Sequence, residues 1–290
     1  MIGTRAALSG ATAVLGLAFV LGPRLPDPGV RILAERLVHE RAAVAERELD
    51  DLHASLVPGL GAVRTAAAGV VSSADPPGAE LMAAAGIVRG AEAGVPAARE
   101  ALAALVAAAR TVRPTVSNLE LGVAVGELTA IADQLATVAE PADAFAERRV
   151  AATRLPATLE DALDAIDRAA LDVAGALIDE ARADHATVAT WEAPPSTLPV
   201  WIATTDAMIT GVEAILDAAR LDDGAAQVRA GEAFVALADE AASADRALRI
   251  AIGEAGQELT VAPVSRLAEA LAEVEAARNA VAALAGPAGR

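Results

Sequence analysis

TLEDALDAIDRAALDVAGALIDEARADH, residues 158–185, carries the pattern that decides the fold. Leu159, Leu163, Ile166, Ala170, Val173 and Leu177 recur at intervals of four, three, four, three and four. That spacing keeps one face of a helix apolar turn after turn. Thr158 and Asp161 resemble a capping box with Asp in place of Glu or Gln, so the stretch predicts one long amphipathic helix reaching His185 or Val188. The same alternation precedes it: Leu121, Val125, Leu128, Ala132, Leu135 and Ala139, behind a cap at Ser117 or Asn118 and up to Pro141. It also follows. Ile202, Ile209, Val212 and Leu216 share a face of a helix expected over 199–219. Phe234, Leu237, Ala241, Ala244, Leu248, Ala251 and Ala255 line a helix over 225–258, and Thr260 opens a last one through Leu267, Leu271, Val274, Val281 and Leu284. Stripes of this spacing interlock when helices pack about 20° from parallel.

Prolines and glycines divide the first half more finely. A helix over 30–56 is expected to stop at Pro58-Gly59, and a shorter one over 60–72 to end in the turn signal SSADPPG. Helices over 80–92 and 96–112, or one helix bent between them, follow, split at Gly94 and closed by Pro114.

Ala supplies 79 of the 290 residues, and three Phe, two Trp and no Tyr are the whole aromatic content. Alanine combines the best helix propensity with little volume, which favours long helices at close approach over a thick aromatic core. The expected fold class is all-α: an N-terminal membrane helix followed by an antiparallel, Ala-rich helical bundle with coiled-coil-like packing. Its expected organisation is a signal-anchor helix at 1–22, a Pro-rich linker at 23–29, a first helical unit at 30–154, a second at 155–286 and a tail at 287–290. The two units would divide near Leu155-Pro156.

The anchor reading rests on residues 6–22, uncharged, polar only at Ser9 and Thr12, and richest in large apolar side chains from Val14 to Leu21. Arg5 ahead of such a run is the layout of an export signal. About 17 residues at 1.5 Å each cover roughly 25 Å, a little under the hydrocarbon core, so length alone admits a cleaved signal, an anchor or the buried helix of a soluble protein. Phe19, Val20 and Leu21 pass directly into Gly22, Pro23 and Arg24, with no small residues at alternate positions for a peptidase. An uncleaved anchor is the expectation. Arg24, Arg31, Arg36 and Arg41 follow the segment while only Arg5 precedes it, and strict charge counting would place the rest of the chain in the cytoplasm. Long domains translocate largely regardless of flanking charge, so the bulk is expected outside it.

The formal net charge is −17, and every basic side chain except the histidines is Arg. Nucleic-acid binding needs clustered cations, which the pattern lacks, so nucleic acid is excluded as an expected partner. With no Cys, the chain has neither disulfides nor thiol chemistry. Glu35 with His39, and Asp50 with His53, could each offer a carboxylate and an imidazole from one helix face. They stand among Arg36, Glu40, Arg41, Glu46 and Arg47 and read as a solvated, salt-bridged face, and the Glu-x-x-His of di-metal bundles does not occur. No metal, cofactor or catalytic residue is assigned. No serine sits in a nucleophile elbow, and there is no phosphate-cradling glycine loop.

One place remains for a site. Trp191 and Trp201 flank the sequence EAPPSTLP, with His185 less than two turns upstream. The three are candidate ligand- or partner-binding residues, since rigid aromatics beside prolines make recognition patches. The competing reading is a plug, two large rings filling a gap that Ala cannot fill. The expected function is accordingly non-catalytic: a membrane-anchored bundle with a structural, scaffolding or interaction role at the cell envelope, associating with itself or a protein partner. The alternative is a sensor-like ectodomain holding a small molecule between helices near the Trp191/Trp201 loop.

Overall fold

A computed structural model describes residues 28–191 and 195–285; the anchor expected at 1–22, linker residues 23–27 and the tail at 287–290 lie outside the described residues, and Pro28 and Gly29, expected in the linker, are helical. Among the described residues there are eight helices and no strand. They are α1 (Pro28–Ser72), α2 (Gly78–Glu92), α3 (Val95–Val112), α4 (Val123–Gly126), α5 (Leu128–Asp167), α6 (Leu171–Ala189), α7 (Leu198–Arg220) and α8 (Gly224–Ala285). The all-α fold expected from the periodicity is the one observed.

The helices contribute to two compact units. Of the described residues, the first takes 28–49, Pro96–Glu120 and 277–285. Its core mixes alanine and leucine: Ala42, Ala45 and Leu49 from α1 and Ala98, Leu102, Leu105 and Ala109 from α3 are all buried. The second unit takes Asp50–Val95 and Leu121–Ala276. Residue pairings run in opposite senses along its helices. Arg89 near the end of α2 meets Asp133 near the start of α5 at 2.6 Å, while Gly78 at the start of α2 meets Asp143 further along. Arg182 on α6 likewise pairs with Glu213 on α7 at 2.5 Å, and Gly211 of α7 admits the Phe234 ring of α8 at 3.1 Å from where a β-carbon would stand. Neighbouring helices in this unit are antiparallel.

Several helix ends differ from the sequence expectation. The helix expected from Thr158 to His185 is two helices. Ala169 turns to φ 56°, the Ala170 amide bonds the Ala165 carbonyl at 2.8 Å and the Ala169 amide bonds Ile166 at 2.9 Å. This is a Schellman stop built without glycine. It changes the phase of the stripe, so Ala174, Ile178, Ala181 and Val188 are buried where Val173 was expected, and Val173 is 55% exposed. The predicted stops at Pro58, Pro141 and the 258–260 boundary are not stops: α1, α5 and α8 run through Pro58, Pro141 and Pro263. Helix α5 also continues through Pro156, so the division expected near Leu155-Pro156 does not coincide with a helix end. An interior proline removes one backbone hydrogen bond and costs about 3 kcal/mol, which a long buried stripe can override. Asn118 caps nothing; residues 117–122 are not helical, and its side-chain oxygen accepts from Arg110.

One described helix, Gly29–Ser72, is long and apolar enough to cross a membrane by length and composition alone. Its large apolar residues Leu49, Leu52, Leu56, Val63 and Val70 are all within 1% of full burial, which is also how a core helix behaves.

Candidate functional site around the Trp191–Trp201 turn

The three candidate residues lie where α6 hands the chain to α7, in the second unit, and they separate into two pairs. His185 on α6 stacks on Trp201 of α7, with ring centroids 6.0 Å apart and planes 19° from parallel. The His185 Nε2–H donates to the Ile202 carbonyl at 3.1 Å, which fixes the ring against α7. Trp201 is 1% exposed and is among the largest fully buried side chains. Pro199 stands in the first turn of α7, where a missing amide is harmless. Trp191 belongs elsewhere. Its ring meets Phe145 of α5 edge-on, at 5.5 Å and 77°. The two indoles that looked like one patch are spent on two different helix contacts.

Beside this turn lies a groove of about 270 Å³ whose polar lining comes from Asp143, Glu147, Arg154, Asp184 and Thr187. Sequence reasoning missed its central feature. Asp184, adjacent to His185, is 3% exposed, and Arg154 of α5 grips it with Nε at 2.8 Å and Nη2 at 2.5 Å. Arg154 Nη1 also reaches Glu180 at 3.2 Å. Hydrogen bonding to Asp184 holds the Arg154 guanidinium above its ordinary range. The available signal was a charged residue at a register position of the buried stripe, three residues after Ala181 and four before Val188; tracking the stripe in the wrong phase concealed it.

Two of the other polar liners, Asp143 and Thr187, serve the fold. Asp143 accepts the Gly78 amide at the first turn of α2, the Thr187 hydroxyl would-be ligand group sits four residues after Ala183, whose carbonyl it bonds at 3.0 Å, and Arg149 on the next turn of α5 donates to the Ser73 carbonyl just past α1. Burial lowers the Arg149 guanidinium pKa below its ordinary value. A carboxylate at the start of one helix and a guanidinium at the end of another match the sign of each helix dipole. The two contacts brace the two ends of the 73–77 turn.

The histidines named for metal pairing are dispersed. His53 Nε2 faces Glu275 of α8 at 3.4 Å, and among the described residues no three His, Asp or Glu side chains are grouped to hold a metal.

Compared with protein-family models, curated proteins and solved structures, the chain matches none of them.

Proposed function

We propose that this chain is a non-catalytic helical-bundle protein, tethered to the membrane through residues 1–22, with a structural or interaction role at the cell envelope and the bundle outside the cytoplasm. The observation that carries the reading is the fate of the aromatic groups. Trp201 is buried on His185 and Trp191 is packed on Phe145, so the strongest recognition residues in the sequence are used as internal plugs. Four-three spacing of the buried residues Val38, Ala42, Ala45, Leu49, Leu52 and Leu56 along α1 favours coiled-coil-like seams, a geometry suited to spacers and scaffolds.

The small-molecule alternative draws on the groove beside Asp184. Arg154, Asp184, Asp143 and Thr187 already have partners there, which leaves few converging groups for a ligand and puts this reading second.

The test compares the full chain with one lacking residues 1–28 by membrane fractionation and protease accessibility in intact cells. The full chain is expected to sediment with membranes and be digested from outside, and the truncated chain to be released. A full-length protein found in the soluble cytosolic fraction overturns the proposal.

A further inference from the structure

The start of α1 exposes large aliphatic side chains on several sides at once. Val30 is 42% exposed, Ile32 54% and Leu33 60%, and the first buried side chain of the helix is Val38. At about 100° per residue, Ile32 points nearly opposite to Val30, with Leu33 off to one flank. One packed partner helix can cover one stripe, whereas an apolar medium surrounding the helix can cover all three residues. Charge singles out the same end of the chain. Residues 1–36 hold Arg5, Arg24, Arg31 and Arg36 against Asp27 and Glu35, a net of +2; residues 37–290 therefore carry −19 of the total of −17. Arg31 is exposed and braced by Glu35 at 3.1 Å, and Arg36 is exposed one turn further on. Distance completes the case. Only five residues separate Gly22 from Pro28, a reach of at most roughly 20 Å, so the start of α1 stays close to whatever residues 6–22 enter.

We infer that the first two turns of α1 sit in the headgroup and upper acyl region of a phospholipid bilayer, with Val30, Ile32 and Leu33 among the chains and Arg31 and Arg36 on lipid phosphates. The inference rests on the anchor reading for what brings α1 to a bilayer, and on α1's own side chains for the contact. An anionic surface attracts this stretch and repels the acidic remainder of the chain.

The chain has no cysteine, so single-cysteine spin labels report one position each. Full-length protein with Ile32→Cys, Leu33→Cys, Val14→Cys or Val235→Cys is reconstituted in vesicles of phosphatidylcholine with phosphatidylglycerol, and label collision with oxygen is compared with collision with a water-soluble nickel chelate. Labels at 14, 32 and 33 are expected to favour oxygen, and the label at 235 the nickel chelate. If 32 and 33 behave like 235 while 14 favours oxygen, this inference fails and the anchor stands. If 14, 32 and 33 all favour nickel, both fail. If only 14 does, the surface contact stands without the anchor. Arg31→Glu with Arg36→Glu is expected to move the 32 and 33 labels toward water and leave 14 unchanged; unmoved labels overturn the phosphate contacts.

Discussion

The Gly78 amide donates to the Asp143 carboxylate at 2.5 Å, and a β-carbon on Gly78 would lie 2.7 Å from Asp143 Cγ. Helix α2 begins after Pro77, which has no side chain to cap it, so the cap comes from another helix and needs a residue without a side chain at the contact. The relationship recurs at α4: Glu273 of α8 accepts the Val125 amide at 3.1 Å, and a β-carbon on Gly122 would lie 2.6 Å from Glu273 Cδ. Carboxylates borrowed across the bundle satisfy amides that a helix start leaves free.

Gly78→Ala is expected to destabilise the protein by about 1 kcal/mol, because the carboxylate must leave the amide. Asp143→Ala should cost a similar amount. In the Asp143→Ala background the sign reverses: with nothing to displace, alanine in place of glycine favours the helix by roughly 0.5–1 kcal/mol. Urea denaturation of the two single variants and the double variant measures this, and additive losses would show that the contact is not the cause.

The two tryptophans should differ sharply in cost. Trp201→Ala removes a side chain that is 1% exposed and is expected to cost about 3–5 kcal/mol. Trp191 is half-buried and makes an edge contact worth roughly 0.5–1.5 kcal/mol beyond its area, so Trp191→Ala should cost distinctly less. Thermal unfolding of both variants checks the order. Equal and small losses would remove the plug and return Trp201 to the list of binding residues.

Arg154 and Asp184 are unequally exposed, with 52% of the Arg side chain accessible and 5% of the Asp. Removing the arginine strands a buried carboxylate, while removing the aspartate leaves an arginine that water and Glu180 can satisfy. Arg154→Ala is therefore expected to destabilise by about 3 kcal/mol and Asp184→Ala by closer to 1 kcal/mol. The reverse order in chemical denaturation would mean that Asp184 is held for a purpose other than pairing with Arg154.

Where sequence and structure agree, the agreement follows from periodicity. All six residues of the predicted stripe from Leu121 to Ala139 are buried, although Leu121 precedes α4 and a turn at Glu127 separates α4 from α5; Ile209, Val212 and Leu216 are buried along α7, because a helix face records its burial at fixed spacing. What periodicity cannot record is phase across a break, or competition between a local breaker and a distant partner. Pro58, Pro141 and Pro263 are strong local stops that long packed helices absorb, while Ala169 is a poor local stop that becomes a real one. At the candidate site the sequence grouped His185, Trp191 and Trp201 around one turn without saying which would touch, and only His185 and Trp201 of the three meet. The partners Phe145, Arg154 and Asp143 came from α5, and spacing along α6 and α7 carries no trace of them.

Ala169 and Asp222 occupy the left-handed position of two matching helix stops, at φ 56° and 53°. After α7 the Asp223 amide bonds the Ala218 carbonyl at 3.0 Å and the Asp222 amide bonds Ala219 at 3.1 Å, repeating the α5 stop bond for bond. A left-handed conformation costs an alanine roughly 1–2 kcal/mol, whereas an aspartate tolerates it better through its short polar side chain. Ala169→Gly is thus expected to stabilise by about 1 kcal/mol once the greater freedom of glycine in the unfolded chain is deducted, and Asp222→Gly by less. Ala170→Gly, one residue on and outside the left-handed region, gains nothing from relieved strain and should lower stability. A rise in melting temperature for Ala169→Gly alone would establish that the α5–α6 break stores strain at a single residue; a fall would mean that the Ala169 methyl group contributes more than its backbone costs.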